Sequence, residues 1–491
     1  MRKEFNLTSI DLGEEVKNDD YVTISKELST INKMNFREYT FMGCQIGKVA
    51  LYELLLSHKK INLNFDEEEW SEYLKFLKNC MITCIAGERI LNQFKPDCLI
   101  MYNTLYATNH AMRQIAERAN ISVYHIHGGE NLSNREKTLF ISAKNTFEYR
   151  KELKQKWELF ENRALSKKSI LNVTSHFKAL QSAQNILVYS IAKSENSENI
   201  YLKFPIKRSQ KIILACLSSY DERFAGESCG ALTSVTDTLF LTQIEWIGAL
   251  IEYFKDKEEY FLLIRVHPRE FPNRRDSVKS EHAAKLAEHF VSLPPNIAIN
   301  WPEDKISIYD LADHASLVLN AWSSVGEELA LLGLPVLIYS PELVMYSPRI
   351  NYLASSKDEY FLMIEKLSTM KISLENIRNT FRWFGMKLEN TTIEILQIKR
   401  SFLPENILRF SRRVQRKIYA ILKLADYSTY IKRMEIGRYK KTVNVLGISQ
   451  MLIEKKASLL DAGVDSRYLL SEEAEVALIR DCLKSLKVSV D

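Results

Sequence analysis

SIYDLADHASLVLNAWSSVGEELALLGLPVLIYS, residues Ser307 to Ser340, is the stretch whose reading decides the fold. A short helix leads into residues 316–320, an apolar, mostly branched run of the kind a parallel strand needs when both faces are covered. AWSSVG then turns the chain, and a helix opening at Glu327-Glu328 stops at Gly333, ahead of a second buried strand in PVLIY. In an open α/β sheet the ligand lies beyond the carboxyl ends of the strands. Ser323 and Ser324 stand at such an end, with two hydroxyls and the unpaired N–H groups of a helix start, a setting that attracts an anion.

Working outward, FLLIRVHPRE (residues 261–270) is a hydrophobic strand ending in His267-Pro268, with Arg265, Arg269, Arg274 and Arg275 around it. KIILACLSS (211–219) opens this sheet after a polar stretch containing Pro205, which marks a domain boundary. Residues 220–226 read as the following loop, 242–253 as a helix and 297–302 as another strand. In the first half, residues 36–42 alternate loosely like a strand and enter an apolar helix through the turn Gly43 to Gly47. Two glycines there can bring backbone N–H groups close to a phosphate or a sugar hydroxyl, and are equally an ordinary entry into a helix. A long helical region over 66–94 breaks at Lys95-Pro96. Strands over 97–103 and 121–126, with a helix between them, give a β-α-β rhythm that predicts a second parallel sheet, its strands ending at Asn103 and at His127-Gly128-Gly129-Glu130. Residues 144–195 read as two helices, and 355–401 as mainly helical.

A His-Pro after one strand, followed by a Ser-Ser after a later one, resembles the GT-B glycosyltransferases of capsule and lipopolysaccharide synthesis, including sialyl- and Kdo-transferases that use CMP-activated sugars. The resemblance covers residues 211–339 well and the first half loosely. It implies an α/β fold of two Rossmann-like domains facing a cleft, with a helical C-terminal extension. The acceptor-side domain would span 1–200, the nucleotide-sugar domain 205–385, and a helical crossover with a basic extension 386–491. In this family a serine pair and a glutamate one turn into the helix hold phosphate and ribose. Carried over, these are Ser323, Ser324 and Glu328, with Glu327 in reserve, while His267 and Arg269 reach the phosphate and Trp322 lines the base pocket or the core.

Transfer of a sugar leaves negative charge on the departing phosphate, which a site must stabilise. No Asp-X-Asp triplet is present to hold a metal, so His267, Arg269, Ser323 and Ser324 are the expected stabilisers, Gly43 and Gly47 are further backbone candidates, and no metal or other cofactor is expected. An inverting transfer also needs a base for the acceptor's proton. Glu130, His127, Asp221 and Glu222 are the candidates. Glu130 is favoured because Gly128 and Gly129 leave room beside it and because it belongs to the domain opposite the donor. Plainer readings exist for each: the serines as helix caps, His267 as a strand-end cap, Glu130 as a loop cap. A nucleotide-sugar 2-epimerase or a polyol-phosphate transferase would share the nucleotide site, but the chain lacks the Gly-Thr-Arg-Pro-Glu loop of the first and the Asp-Tyr-Ser-Ser of the second. A noncatalytic, membrane-associated assembly protein of the same fold is the alternative from another class.

At 491 residues, 46% hydrophobic and 26% charged, the chain suits two globular domains and an extension. No window approaches the about 18 apolar residues of a membrane span, and the first residues lack the apolar core of a signal peptide, so a cytoplasmic setting is expected. Seven scattered cysteines without CxxC pairs read as reduced, buried thiols, and a net charge of +5 is too small to imply nucleic acid. Ile407, Val414, Ile418, Ile421 and Leu422 recur at helical spacing, interleaved with Arg409, Arg412, Arg413, Arg416, Lys417 and Lys423. Such a helix can lie on an anionic membrane surface at the inner face, or pack on its own protein with a solvated basic face. The partners expected are thus a nucleotide-sugar donor, a glycan or lipid-linked acceptor and that membrane surface.

Overall fold

Strands β4 (Lys211–Cys216) and β5 (Tyr260–Arg265) bury almost every residue because their apolar side chains serve two cores at once. Ile212, Leu214, Phe261 and Leu263 enter one, while Ile213, Ala215, Leu262 and Ile264 enter the other, with the two-residue period of a pleated strand. A computed structural model describes residues 10–183, 187–370, 373–389, 391–398, 439–441, 449, 451–457, 459 and 469–488. Around β4 and β5, strands β6 (Ile297–Asn300), β7 (Ala315–Asn320), β8 (Val336–Ile338) and β9 (Tyr352–Leu353) complete a six-stranded sheet of order β6-β5-β4-β7-β8-β9, parallel throughout. This is the doubly wound order, reversing direction between β4 and β7.

The first sheet is smaller and mixed. Strands β1 (Cys98–Tyr102) and β2 (Ser122–Gly128) pair in parallel as expected, but β3 (Thr138–Ser142) runs antiparallel to β2, and β10 (Thr392–Glu394) antiparallel to β3. The expectation of a purely parallel first sheet is therefore corrected. β10 also shows that the chain returns to the first sheet after completing the second, and that Thr392–Glu394 and Leu396–Ile398 form strand where helix was expected. Together the two sheets make the α/β, two-domain arrangement expected, with the helix Glu472–Ser485 towards the C-terminal end.

Two local expectations fail for identifiable reasons. Residues 36–42 form no strand; Phe41 and Cys44 exchange backbone hydrogen bonds of 2.9 Å across a tight turn, with Met42 and Gly43 both at positive φ (49° and 72°). The segment after β4 is the helix Tyr220–Ser228 and not a loop, its polar face having hidden buried partners for Asp221 and Arg223. The long helix Glu67–Phe94 begins and ends where the sequence says: Asp66 accepts the Glu68 and Glu69 N–H groups at 2.9 Å, and Lys95 turns left-handed (φ 46°) before Pro96. The basic run Arg409 to Lys423 lies outside the described residues. Among those described, no helix is long and apolar enough to cross a membrane.

The helix Leu374–Glu389 packs against both Lys167–Gln181 and Val325–Leu331, and so ties the two halves together. The C-terminal helix Glu472–Ser485 fixes it in turn through a fully buried Glu475. That carboxylate accepts from Arg378 Nε (2.7 Å), from Arg382 Nη2 (2.8 Å) and Nε (3.1 Å), and from the Leu165 N–H (2.8 Å). Burial works to raise the Glu475 carboxyl, but Arg382 and Arg378 outweigh it and hold it below the usual glutamate range. Removing one partner from such a network strands the others, so Glu475→Ala should lower stability by about 3–5 kcal/mol in denaturant unfolding. A carboxyl lowered on folding stabilises fully above its unfolded value of about 4.3, and that contribution disappears as pH falls through the folded value. The wild type should thus lose stability more steeply on acidification than Glu475→Ala; parallel pH profiles would show that this network does not contribute.

Candidate functional site

Beyond the carboxyl ends of β4 and β7 the chain is held in place by side chains. Asn320 Nδ2 donates to the Ser323 carbonyl (2.9 Å) and to the Tyr346 hydroxyl (3.0 Å), and the Trp322 N–H donates to Ser218 Oγ (2.9 Å). Gly326 has to be glycine, since a Cβ there would lie 2.1 Å from the Tyr346 hydroxyl. The turn so fixed, together with the end of β5, lines a pocket of about 120 Å³ that gathers Arg265, His267, Tyr309, Ser323, Ser324 and Glu328. Four of the residues expected to bind the donor, His267, Ser323, Ser324 and Glu328, therefore share one pocket.

Arg265 is the feature of this pocket that sequence left in the background. It is 5% exposed, donates to Asn300 Oδ1, and among the described residues forms no ion pair with a carboxylate. Burial pushes its guanidinium down to about 10, so it remains charged at neutral pH. His267 stands beside it as a neutral donor. Burial pushes its imidazole down to about 4, and its Nδ1 accepts the Arg269 N–H at 3.2 Å, which leaves a neutral ring with its proton on Nε2. On the helix side, Ser323 Oγ accepts the Val325 N–H (3.3 Å), a capping bond that leaves its own hydrogen free to donate. Ser324 Oγ (3.1 Å) and the Tyr309 hydroxyl (2.7 Å) both donate to Glu328, whose carboxyl burial nonetheless pushes above the usual range.

Ser324 and Glu328 also line a cleft of about 340 Å³, whose opposite wall belongs to the first sheet and carries His127 and Glu130. Lys387 spans this cleft: its ammonium lies 2.5 Å from Glu327 Oε1 and 3.6 Å from Glu130 Oε2, while Trp383 Nε1 donates to Glu327 Oε2 at 2.6 Å. Arg150 Nη2 lies 3.4 Å from Glu130 Oε1. Burial works to raise the Glu130 carboxyl, but Arg150 and Lys387 hold it below the usual glutamate range, so it stands as a carboxylate. His127 is less available as a base. Its Nδ1 lies 2.6 Å from Arg135 Nη2 and 2.9 Å from the Gly128 carbonyl, and its Nε2 lies 3.2 Å from the same Arg135 nitrogen, so both ring nitrogens already have partners. Burial lowers its basicity further.

The remaining candidates lie elsewhere. Asp221 is fully buried, receives the Ser219 hydroxyl at 2.6 Å and pairs with Arg269 Nη2 at 2.6 Å, while the half-exposed Glu222 lies 3.3 Å from Arg269 Nε. These charges satisfy one another, and neither Asp221 nor Arg269 lines the pocket or the cleft. Gly43 and Gly47 line neither and answer to packing. A Cβ on Gly43 would meet the Arg118 guanidinium at 2.8 Å, and one on Gly47 would lie 2.1 Å from the Phe36 carbonyl. Among the described residues, no group of three or more His, Cys, Asp or Glu side chains is placed to hold a metal ion.

Arg135, Arg150, Lys387 and Tyr309 were not anticipated. Lys387 left a trace, a single lysine in the otherwise apolar WFGMKL, where a buried charge implies a buried partner. The others sit on ordinary polar helices and turns.

No protein-family model matches the chain, and no curated protein does. Among solved structures it is similar to KpsC β-Kdo 2,7-transferase of Thermosulfurimonas dismutans, 13% identical over 63% of this chain and 82% of that one, with a TM-score of 0.33. It is also similar to the UDP-GlcNAc 2-epimerase of Methanocaldococcus jannaschii, 15% identical over 69% and 94% of the two chains, with a TM-score of 0.30. A third is the calicheamicin glycosyltransferase CalG4, 13% identical over 67% and 78%, with a TM-score of 0.27.

Proposed function

We propose that this protein is a glycosyltransferase that moves a sugar from a nucleotide-activated donor to a glycan or lipid-linked acceptor. The observation that carries the reading is Arg265, a buried cation that forms no ion pair with a carboxylate among the described residues, lining the pocket at the strand-order reversal. Such a charge is costly until an anion meets it. A phosphate in this pocket would accept from the Arg265 guanidinium, from His267 Nε2–H and from the Ser323 hydroxyl, with Glu328 placed for ribose hydroxyls. The His-Pro and Ser-Ser pair favours a CMP-sugar, and a UDP-sugar next.

In the transfer, an acceptor hydroxyl oxygen attacks the anomeric carbon in the cleft as the bond from that carbon to the phosphate oxygen breaks. The electron pair leaves with the phosphate, where Arg265 and the neighbouring donors meet the growing charge without a metal. The proton goes to Glu130, which the Arg150 and Lys387 charges keep ionised in the resting site, at a cost in basicity.

Two experiments test this. Arg265→Met should weaken nucleotide binding by about 1.5–3 kcal/mol while leaving the unliganded protein as stable as before, or more so, because a buried charge that touches no carboxylate among the described residues has been removed. The readout is a thermal-shift panel of CMP, CDP, UMP, UDP and GDP, and undiminished binding in the variant would remove the phosphate assignment. Glu130→Gln keeps the shape but cannot take a proton. With a working acceptor its turnover should fall about 10²- to 10⁴-fold at little change in nucleotide affinity. Asp221→Asn should instead show its effect in stability; near-normal turnover of Glu130→Gln would take the base away from this residue.

A further inference from the structure

Lys59, in the turn after the helix Leu51–Ser57, belongs to the first domain and is fully buried. Its ammonium donates to the carbonyls of Arg269 (2.5 Å), Val278 (2.6 Å) and Phe271 (3.3 Å) and pairs with Asp276 Oδ1 at 2.6 Å. All four oxygens come from one loop of the second domain, the loop that leaves β5 through His267. The backbone of Lys59 is left-handed (φ 48°), the conformation that also ends the long helix at Lys95. The neighbouring residues strengthen the contact: Lys60 Nζ and Asn62 Nδ2 reach Glu281 at 2.9 and 2.6 Å, and Lys60 also holds Glu69 at 2.9 Å.

We propose that Lys59 is a positioning residue through which the first domain sets the donor pocket of the second. It touches neither cavity. What it fixes is the path of residues 269–278, and with it the Arg269 N–H that orients the His267 ring and the end of the strand that carries Arg265. Water in place of the ammonium could donate only twice and carries no charge, whereas the ammonium has three donors for the carbonyls and a charge for the carboxylate. The importance of the loop for a nucleotide rests on the function proposed above; the anchoring itself does not.

The test compares the full chain with Lys59→Met and Asp276→Asn by amide hydrogen exchange without ligand, then by titration with CMP and UDP. Lys59→Met should raise exchange about ten-fold or more in residues 267–280 while the strands β4, β5 and β7 keep their protection, a local opening and not a global one. Its affinity for whichever nucleotide the wild type binds should fall by about ten-fold or more, the equivalent of losing one charged contact. Asp276→Asn, which removes one oxygen's charge and keeps the three carbonyls, should lie between, and it carries the test should Lys59→Met fail to fold. Unchanged exchange in 267–280, or a rise spread evenly over the chain, overturns the proposal. A wild type that binds neither nucleotide would count against the proposed function, and the exchange comparison would still decide the role of Lys59.

Discussion

A parallel sheet that reverses its strand order between β4 and β7 cannot close the space beyond those two strands, because the connections leave to opposite faces. Polar groups at those carboxyl ends either hold the turn, as Asn320 and Ser218 do, or face a crevice. The strands that bring them there are apolar on both sides, so the crevice floor has a low dielectric and charges at its edge go unscreened. Arg265 is where these two conditions meet, the last residue of a strand buried on both faces and a cation with an amide for its partner.

Across the cleft the charges are arranged on a different principle, since each is shared. Lys387 stands between a glutamate of the first sheet's loop and one of the second domain's helix, and Arg150 reaches the first of these from a third element. The helix that carries Lys387 is fixed one turn and more away by Arg378 and Arg382 on Glu475. A line of buried charges thus runs from the C-terminal helix to the centre of the cleft, and the placement of Glu130 depends on residues more than three hundred positions later in the chain.

The second sheet could be read almost strand by strand, because its segments are short apolar runs punctuated by Gly, Pro and polar turns, and burial on both faces makes them uniform. The pocket was legible for the same reason: His267, Ser323 and Ser324 follow directly from strand ends, while Glu328 came from the family resemblance of the helix after them. What could not be read depended on contacts distant in sequence. β3 is five residues between loops, with no periodicity to separate it from its surroundings. Asp221 and Arg269 both looked available for chemistry until their mutual ion pair was visible, and the two glycines near Cys44 looked like a phosphate loop until Arg118 and the Phe36 carbonyl were found against them. A charge in a sequence has no partner; only the fold says whether one has already been supplied.

The position of β10 has a consequence for synthesis. The first domain is translated early, but the strand that covers the outer edge of β3 lies about 250 residues further along, beyond the whole of the second domain. While the ribosome makes those residues, β3 presents an open row of backbone donors and acceptors, the kind of edge that recruits other strands. Completion of the first sheet therefore waits on completion of the second, and a chain cut after its first half would carry that edge permanently.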